Sequence, residues 1–378
     1  MDFKLSPEQE MIREVSARFA KEVCKPEAEE IDQSGEFPIK TFQMMAECGL
    51  TGLGFPKKWG GVGQNKLDEI IAVEEMAKVS MTHAAILSIH AVSPWLINRF
   101  GTPEQKEKYL PRLITGGELA AFALTEPNAG SDAANVQTVA NEDGDDYLLN
   151  GTKCFITGGG IANVYVIFAS TDRTKGTKGL TAFIVEKGTK GFTFGKIENK
   201  MGIRASQTAE LILQDVRIPK TNILGKIGRG FISAMVGLDS ARIGTAAQAL
   251  GLAEGAYDLA LKYVNERVQF GKPISKLQGI QWYLVDMKTK IESARWLVYN
   301  AAELENRGES FSLEAAMSKL YASKIAREVS NLALQIHGGY GYMKDYPLER
   351  MYRDAKITEI YEGTSEIMKV VMASNILR

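Results

Sequence analysis

The spacing of apolar residues changes twice along this 378-residue chain, and the change limits the folds that it can adopt. From residue 1 to about 118, apolar side chains recur at helical spacing, as at Met11 and Val15. From about 120 to 225 the period is two, in short β-rich runs separated by Gly, Asp, Asn and Lys. Beyond about 228 the helical spacing returns. The pattern therefore predicts helices, then a sheet, then helices again.

The last part of the chain contains four long amphipathic segments, at 237–268, 277–307, 312–338 and 364–377. Four long helices favour an up-and-down bundle. The runs in the middle favour a compact β domain, either a barrel or a sandwich. We therefore predict an α+β protein, mostly α, in three domains. These are an N-terminal helical domain over 1–118, a central β domain over 119–227 and a C-terminal four-helix bundle over 228–378.

Composition excludes several classes of protein. The net charge of −1 argues against nucleic acid as the main partner, since proteins that bind nucleic acid usually carry an excess of basic residues. Three scattered cysteines and three histidines form neither a disulfide framework nor a cluster with metal-ligand spacing. The N-terminus lacks a signal-peptide pattern, and no apolar run reaches the ~18 residues of a membrane span. We expect a protein of the reducing cytoplasm.

The segment 360–366, Ile-Tyr-Glu-Gly-Thr-Ser-Glu, contains the strongest single candidate for a catalytic group. Glu362 precedes Gly363, which lets the backbone approach a ligand, and Thr364 and Ser365 can cap a last helix. A carboxylate in such a turn can act as a general base if its surroundings raise its pKa. The alternative is a surface glutamate before a helix cap, since Glu is mostly exposed.

Two further motifs support the first interpretation. They are Phe-Ala-Leu-Thr-Glu-Pro-Asn-Ala-Gly-Ser-Asp at 122–132 and Gln-Ile-His-Gly-Gly-Tyr-Gly at 335–341. Together with 360–366, in this order and at these distances, they resemble the acyl-CoA dehydrogenase family of flavoproteins over essentially the whole chain. The resemblance implies the same order of helical, β and helical domains. It also implies FAD bound without a Rossmann motif, in agreement with the missing GxGxxG and P-loop patterns.

The resemblance implies contacts to FAD from separate parts of the chain. Backbone groups near Phe122 would face the isoalloxazine ring, and an aromatic residue at position 155 would shield one flavin face. An arginine at 267 suits a pyrophosphate, since its planar group is always charged. The alternatives are a structural turn for the segment that begins at Phe122, a place in the β-domain core for Phe155 and a solvated helix end for Arg267. The expected FAD-binding residues are Phe122, Leu124, Thr125, Ser131, Phe155, Thr157, Arg267, Phe270, Gln278, Gln335, Gly339, Thr364 and Glu366.

The resemblance also implies that the helix around Asp239 contacts pantetheine and CoA. Asp239 and Arg242 could instead form a simple intrahelical salt bridge. One subgroup of the family has its base at the position of Ala241, and alanine cannot serve, so Glu362 remains the candidate. His90 lies where the acyl pocket is expected and is interpreted as a packed residue. The expected substrate-binding residues are Ser131, Leu238, Asp239, Arg242, Tyr361 and Gly363.

The implied activity is FAD-dependent α,β-dehydrogenation of a short-chain acyl-CoA, including branched or aryl forms, to the trans-2-enoyl-CoA. Glu362 would remove the α-proton, hydride would pass to flavin N5, and electron-transferring flavoprotein would take the electrons. Three alternatives stay open: the reverse reaction as an enoyl-CoA reductase, an acyl-CoA oxidase using O2, and a nucleic-acid-associated flavoprotein without dehydrogenase activity. FAD shared between subunits implies a homotetramer built as a dimer of dimers.

Overall fold

The computed structural model describes residues 4–63, 65–115 and 117–377. The outer ends of the predicted terminal domains, 1–3 and Arg378, lie outside these residues. The N-terminal part is helical, and a π-helical turn at Ala20–Cys24 separates its first two helices. The helices are α1 Pro7–Phe19, α2 Lys25–Ser34, α3 Ile39–Glu47, α4 Lys66–Ala77, α5 Met81–His90, α6 Val92–Phe100 and α7 Pro103–Ile114.

Two of these helices begin at capping boxes, in which a Ser or Thr is followed three residues later by Gln. The Ser6 hydroxyl accepts from the Gln9 backbone N–H at 3.2 Å, and the Gln9 side chain accepts from the Ser6 N–H at 3.0 Å. Thr102 and Gln105 repeat the arrangement at the start of α7. Proline occupies the first turn of both helices, where a missing N–H costs nothing.

The central part forms one sheet in the order β6-β7-β3-β2-β4-β5-β8, with β1 parallel to β4. Tyr165 on β4 contacts Phe192 on β6 with ring centroids 5.0 Å apart, although three strands separate them in the sheet. The sheet is therefore strongly curled. The strands are β1 Ala120–Ala123, β2 Val139–Asp143, β3 Asp146–Thr157, β4 Val164–Ser170, β5 Leu180–Glu186, β6 Phe192–Ile197, β7 Thr208–Pro219 and β8 Ile223–Leu224.

The C-terminal part is helical again, and α10 packs against α8, α9, α11 and α12. The short α11 was not predicted, because proline at 347 reads as a break rather than as a helix start. The predicted α+β fold, mostly α, is confirmed. The elements are α8 Gly230–Glu266, β9 Val268–Gln269, β10 Lys272–Pro273, α9 Gln278–Asn306, α10 Ser312–His337, α11 Leu348–Ile357 and α12 Ser365–Ile376.

Two absences hold for the described residues. None of their helices combines the length and the apolarity needed to cross a bilayer. They also contain no group of three or more His, Cys, Asp or Glu side chains placed to hold a metal ion.

Candidate active site

Glu362 lies in the tight connection between α11 and α12. Its φ is +53°, which is unusual for a residue with a side chain, and that of Gly363 is +98°. A Cβ at position 363 would lie 2.7 Å from the Met368 Cε atom, so glycine fits both the conformation and the space. Thr364 caps α12 by accepting from the Ile367 N–H at 3.3 Å, as the sequence predicts.

Two cations hold the backbone of this turn. Arg242 on α8 donates from Nε to the Glu362 carbonyl at 3.1 Å, and Lys319 on α10 donates from Nζ to the Gly363 carbonyl at 2.5 Å. Both side chains are buried. Arg242 also pairs with Asp239 at 2.6 Å. The intrahelical salt bridge that was the alternative interpretation of these two residues therefore exists, and its arginine also contacts the turn.

The Glu362 carboxyl has the electrostatic environment expected of a base. Burial raises its pKa, and the opposing effects of Arg242 and Lys319 are smaller. Glu362 keeps some access to solvent, because the residue is only half-buried. The neighbouring carboxyl of Glu359 differs in the direction of its pKa shift. Burial tends to raise the pKa of Glu359, but hydrogen bonds from Lys356 and Arg327 lower it overall.

Glu366 and Tyr361 flank the turn in contrasting surroundings. Glu366 is exposed in the first turn of α12, where a backbone hydrogen bond lowers its pKa. Tyr361 packs against the main hydrophobic core, and its hydroxyl donates to Gln248 Oε1 at 2.5 Å. Burial raises the pKa of that hydroxyl well above its usual value. Of the three acidic side chains near the turn, Glu362 alone has a raised pKa.

The loop after β1 is fastened to β3 by a buried ion pair. Lys153 donates to Glu126 Oε1 at 2.8 Å and to the Leu124 carbonyl at 3.1 Å. The Cys154 N–H donates to the Thr125 carbonyl at 3.0 Å. Glu126 also accepts from the backbone N–H of Thr138 at 3.0 Å. The segments that contain Phe122–Thr125 and Phe155–Thr157 are therefore held side by side.

Phe155 combines exposure with an unusual backbone. Its φ is +55°, its side chain is 64% exposed, and it lies at an irregularity where β3 shifts register against β7. The alternative interpretation of Phe155 as β-domain core is therefore wrong. Thr157 ends β3 and is half-buried, whereas Ser131 lies in an exposed loop.

Helix α8 links the Glu362 turn to the β1 region. Leu238 and Ala241 pack in the same apolar cluster as Phe122 and Leu124. Arg242, one residue beyond Ala241, contacts the Glu362 turn. Six predicted residues from three distant parts of the chain therefore belong to one connected region. They are Phe122, Leu124, Leu238, Asp239, Arg242 and Glu362.

A second group of predicted residues lies elsewhere, around a cavity of about 580 Å³. Arg267, Phe270 and Gly339 line it. The Arg267 guanidinium lies 5.4 Å from the centre of the Tyr340 ring, and Phe270 is 88% exposed. Gln278 and Gln335 are exposed at the start of α9 and in the last turn of α10, and neither lines the cavity.

His90 and Trp95 have structural partners. His90 Nε2 donates to the Leu113 carbonyl at 3.0 Å, and its Nδ1 accepts from the Ala120 N–H at 3.1 Å, which fixes the neutral form. Burial lowers its pKa to about 4. Trp95 Nε1 donates to Glu305 Oε1 at 2.9 Å. His90 is therefore the packed histidine that we expected.

Lys319 and Lys153 were not predicted from the sequence. One signal was available for the first: Lys319, Ser323 and Arg327 recur every four residues, which places them on one face of α10. Lys153 occupies a β-rich run, where a fully buried lysine is unexpected without its partner.

Domain models of one family match most of the chain. The models described as the acyl-CoA dehydrogenase N-terminal, middle and C-terminal domains match residues 6–117, 121–216 and 228–377.

Individual proteins match over the full length. The chain is 62% identical over 380 residues to the acryloyl-CoA reductase (NADH) of Anaerotignum propionicum, covering 100% of this chain and 96% of that protein. The structure of butyryl-CoA dehydrogenase from Megasphaera elsdenii is 48% identical, with a TM-score of 0.98 and 100% of both chains covered. A chain in the structure described as the electron transferring flavoprotein of Acidaminococcus fermentans is 51% identical, also with a TM-score of 0.98 and 100% of both chains covered.

The domain matches, the identities and the shared fold agree with the motifs around Glu362, 122–132 and 335–341. The chain therefore belongs to the acyl-CoA dehydrogenase family of flavoprotein oxidoreductases.

Proposed function

We propose that this enzyme interconverts a short-chain acyl-CoA and its trans-2-enoyl-CoA, with FAD as cofactor and Glu362 as the group that transfers the α-proton. The observation that carries the proposal is the Glu362 turn. A carboxyl with a raised pKa sits on a left-handed backbone, and buried cations hold that backbone. A raised pKa makes the carboxylate a stronger base and keeps the carboxyl protonated to higher pH. The same residue can therefore serve either direction.

The residues around the two candidate regions fit FAD. Phe155 offers an exposed aromatic ring beside the loop that contains Thr125, which suits a flavin ring. At the second region Arg267 provides an always-charged group, and a Cβ at Gly339 would meet nothing within 4 Å. That open backbone lets a pyrophosphate or an adenine approach closely. When bound, FAD would accept the hydride from the β-carbon in the oxidative direction and return it to that carbon in the reductive direction.

The other steps belong to this chain's own residues. The Glu362 carboxylate takes the α-proton in the oxidative direction, and the carboxyl returns it in the reductive direction. The Glu362 backbone N–H would polarise the thioester carbonyl, which stabilises negative charge as it develops there. Leu238 and Ala241, in the cluster with Phe122, provide an apolar wall that excludes water from the acyl chain.

Replacing Glu362 by glutamine tests the proposal. The variant keeps the size of the side chain and should still bind FAD, which the visible absorption spectrum reports. Turnover should fall by at least ~10²–10⁴-fold, because the base is lost. Glu359→Gln is the matched control, since Glu359 pairs with Arg327 and Lys356 instead. A Glu362→Gln enzyme with undiminished turnover would overturn the assignment.

A reductase is the second candidate, and the 62% identity to a protein named acryloyl-CoA reductase favours it. Saturated and 2-enoyl thioesters of three and four carbons separate the directions, with an artificial electron acceptor or donor respectively. A dehydrogenase oxidises the saturated thioester faster than it reduces the enoyl-CoA, and a reductase shows the opposite ratio. Peroxide formed in air by the reduced enzyme would indicate an oxidase.

We propose two partners for this chain. Electron-transferring flavoprotein is the proposed redox partner, in line with the similarity to a chain from a structure of such a protein.

A second copy of the chain is the proposed structural partner. Trp282 and Val285 on α9 are 61% and 63% exposed, and Val370 on α12 is 62% exposed. Such apolar surface on a bundle supports the expected dimer of dimers.

A further inference from the structure

The side chain of Lys319 is a buried cation directly behind the Glu362 turn. It is inaccessible to solvent, and its ammonium group donates to the Gly363 carbonyl at 2.5 Å. Among residues 4–63, 65–115 and 117–377, that carbonyl is the one hydrogen-bond acceptor that the group contacts. Burying an ammonium group is unfavourable unless the protein compensates it. The position of Lys319 therefore requires a compensating interaction at the turn.

Lys319 belongs to a row of side chains that hold the connection between α11 and α12. Ser323, one helical turn on, donates to the Thr358 carbonyl at 2.7 Å. Arg327, a further turn on, pairs with the Glu359 carboxylate at 2.9 Å. The row fastens α10 to the connection at three points. Lys319 is the member of the row that contacts the backbone next to Glu362.

The backbone at this point needs support. Glu362 and Gly363 are both left-handed, and such a conformation persists for a non-glycine residue only when its surroundings enforce it. Arg242 holds the first carbonyl and Lys319 the second. These two contacts fix the direction in which the Glu362 side chain leaves the backbone.

The charge of Lys319 acts on the same carboxyl. The charged groups that face it are Glu359 and Glu362 of the connection, Glu366 of α12 and Arg242 of α8. Burial lowers the pKa of Lys319 to about 8, and among these groups Glu362 opposes that effect most. In return, Arg242 and, to a smaller extent, Lys319 lower the pKa of Glu362 against the larger effect of burial.

We propose that Lys319 is a positioning residue for the base: its ammonium group holds the Gly363 carbonyl and so orients Glu362, and its charge favours the carboxylate form of that side chain. The inference rests on the proposed role of Glu362. It adds a residue that acts on Glu362 through the backbone of the turn.

Lys319→Met tests the proposal, because methionine keeps most of the volume and removes the charge and the donor. The pH at which the rate of the α-proton step is half-maximal should rise by about one unit, since an opposite charge a few ångströms away lowers a carboxyl pKa by about that much or more. Lys319→Arg should keep the parent pH profile even where its rate is lower. Arg327→Met is the matched control, because it removes a cation of the same row that contacts Glu359.

The proton step can be isolated from hydride transfer. An acyl-CoA with sulfur at the β-position has no β-hydride to lose, so uptake of deuterium at its α-carbon from D2O reports proton transfer alone. Mass spectrometry of the thioester, with the FAD-loaded enzyme across pH 5–9, gives the profile. Lys319→Gln, which keeps a donor but no charge, replaces the methionine variant if that protein does not fold, and the same shift is expected.

The outcomes separate this inference from the proposed function. A Glu362→Gln enzyme that exchanges at the parent rate overturns the role of Glu362 and with it the role of Lys319. A Glu362→Gln enzyme without exchange, together with a Lys319→Met profile that coincides with those of the parent and of Arg327→Met, overturns the role of Lys319 alone. The proposal is supported if the Lys319→Met profile is shifted to higher pH while the Lys319→Arg profile coincides with that of the parent.

Discussion

Replacing Lys153 by methionine should destabilise the β domain strongly, because Lys153 and Glu126 form a buried ion pair. Lys153 is 0% and Glu126 4% exposed. Removing one member of such a pair leaves an uncompensated charge and typically costs about 3–5 kcal/mol. Glu126 keeps donors from Gln137 and Thr138, which reduces the loss, but the Leu124 carbonyl loses its partner. We therefore expect a cost of about 3 kcal/mol at neutral pH.

The pH dependence gives a second check on this cost. Burial opposes ionisation of Glu126, but the charge of Lys153 and its hydrogen bonds lower the pKa overall. In the variant that charge is absent, so burial would raise the pKa of Glu126 in the folded state above the unfolded value. The variant then loses stability as the pH rises through this range, and its defect should be smaller at pH 5 than at pH 7.

Urea unfolding followed by circular dichroism measures the effect, at fixed concentrations of protein and FAD because both assembly and ligand binding shift the midpoint. The double variant Glu126→Gln/Lys153→Met should be more stable than Lys153→Met, because it buries no unpaired charge. Lys220→Met removes an exposed partner of Glu142 on the same sheet and should leave the midpoint unchanged. A Lys153→Met protein within about 1 kcal/mol of the parent would refute the reasoning.

Two further predictions concern His90 and α9. The pKa of His90 is about 4 when folded and about 6.5 when unfolded, so the unfolded state binds more protons between these values. Stability should therefore fall by about 3 kcal/mol as the pH drops from 6.5 to 4, and His90→Gln, measured by urea midpoints, should remove that part of the fall. Trp282→Glu should lower the mass of the assembly measured by sedimentation, since a charge would then lie on the exposed α9 face. Met11→Glu, at a similarly exposed site on α1, should keep the mass of the parent assembly. A Trp282→Glu protein with the same mass as the parent would count against this interface.

The sequence alone determines much of the local structure, namely the order of helices and strands and several helix starts. Helical and two-residue periods placed the helices and strands in the right order, and the Ser6 and Thr102 capping boxes marked helix starts within a residue or two. These features depend on neighbours in the chain, so they can be read without knowing the fold. The motif around Glu362 likewise showed its glycine and its cap, because both are local requirements of a tight turn.

Only the tertiary structure decided which distant groups share a site. The buried partners of the turn, Arg242 and Lys319, lie 120 and 44 residues from the carbonyls that they hold. Lys153 reaches Glu126 across 27 residues, and in the sequence it is an ordinary lysine in a strand. The pKa of a carboxyl depends on burial and on charges a few ångströms away, and chain order fixes neither. The sequence therefore identified Glu362 as the candidate base, and the packing of α8 and α10 against its turn determined the environment in which that base would work.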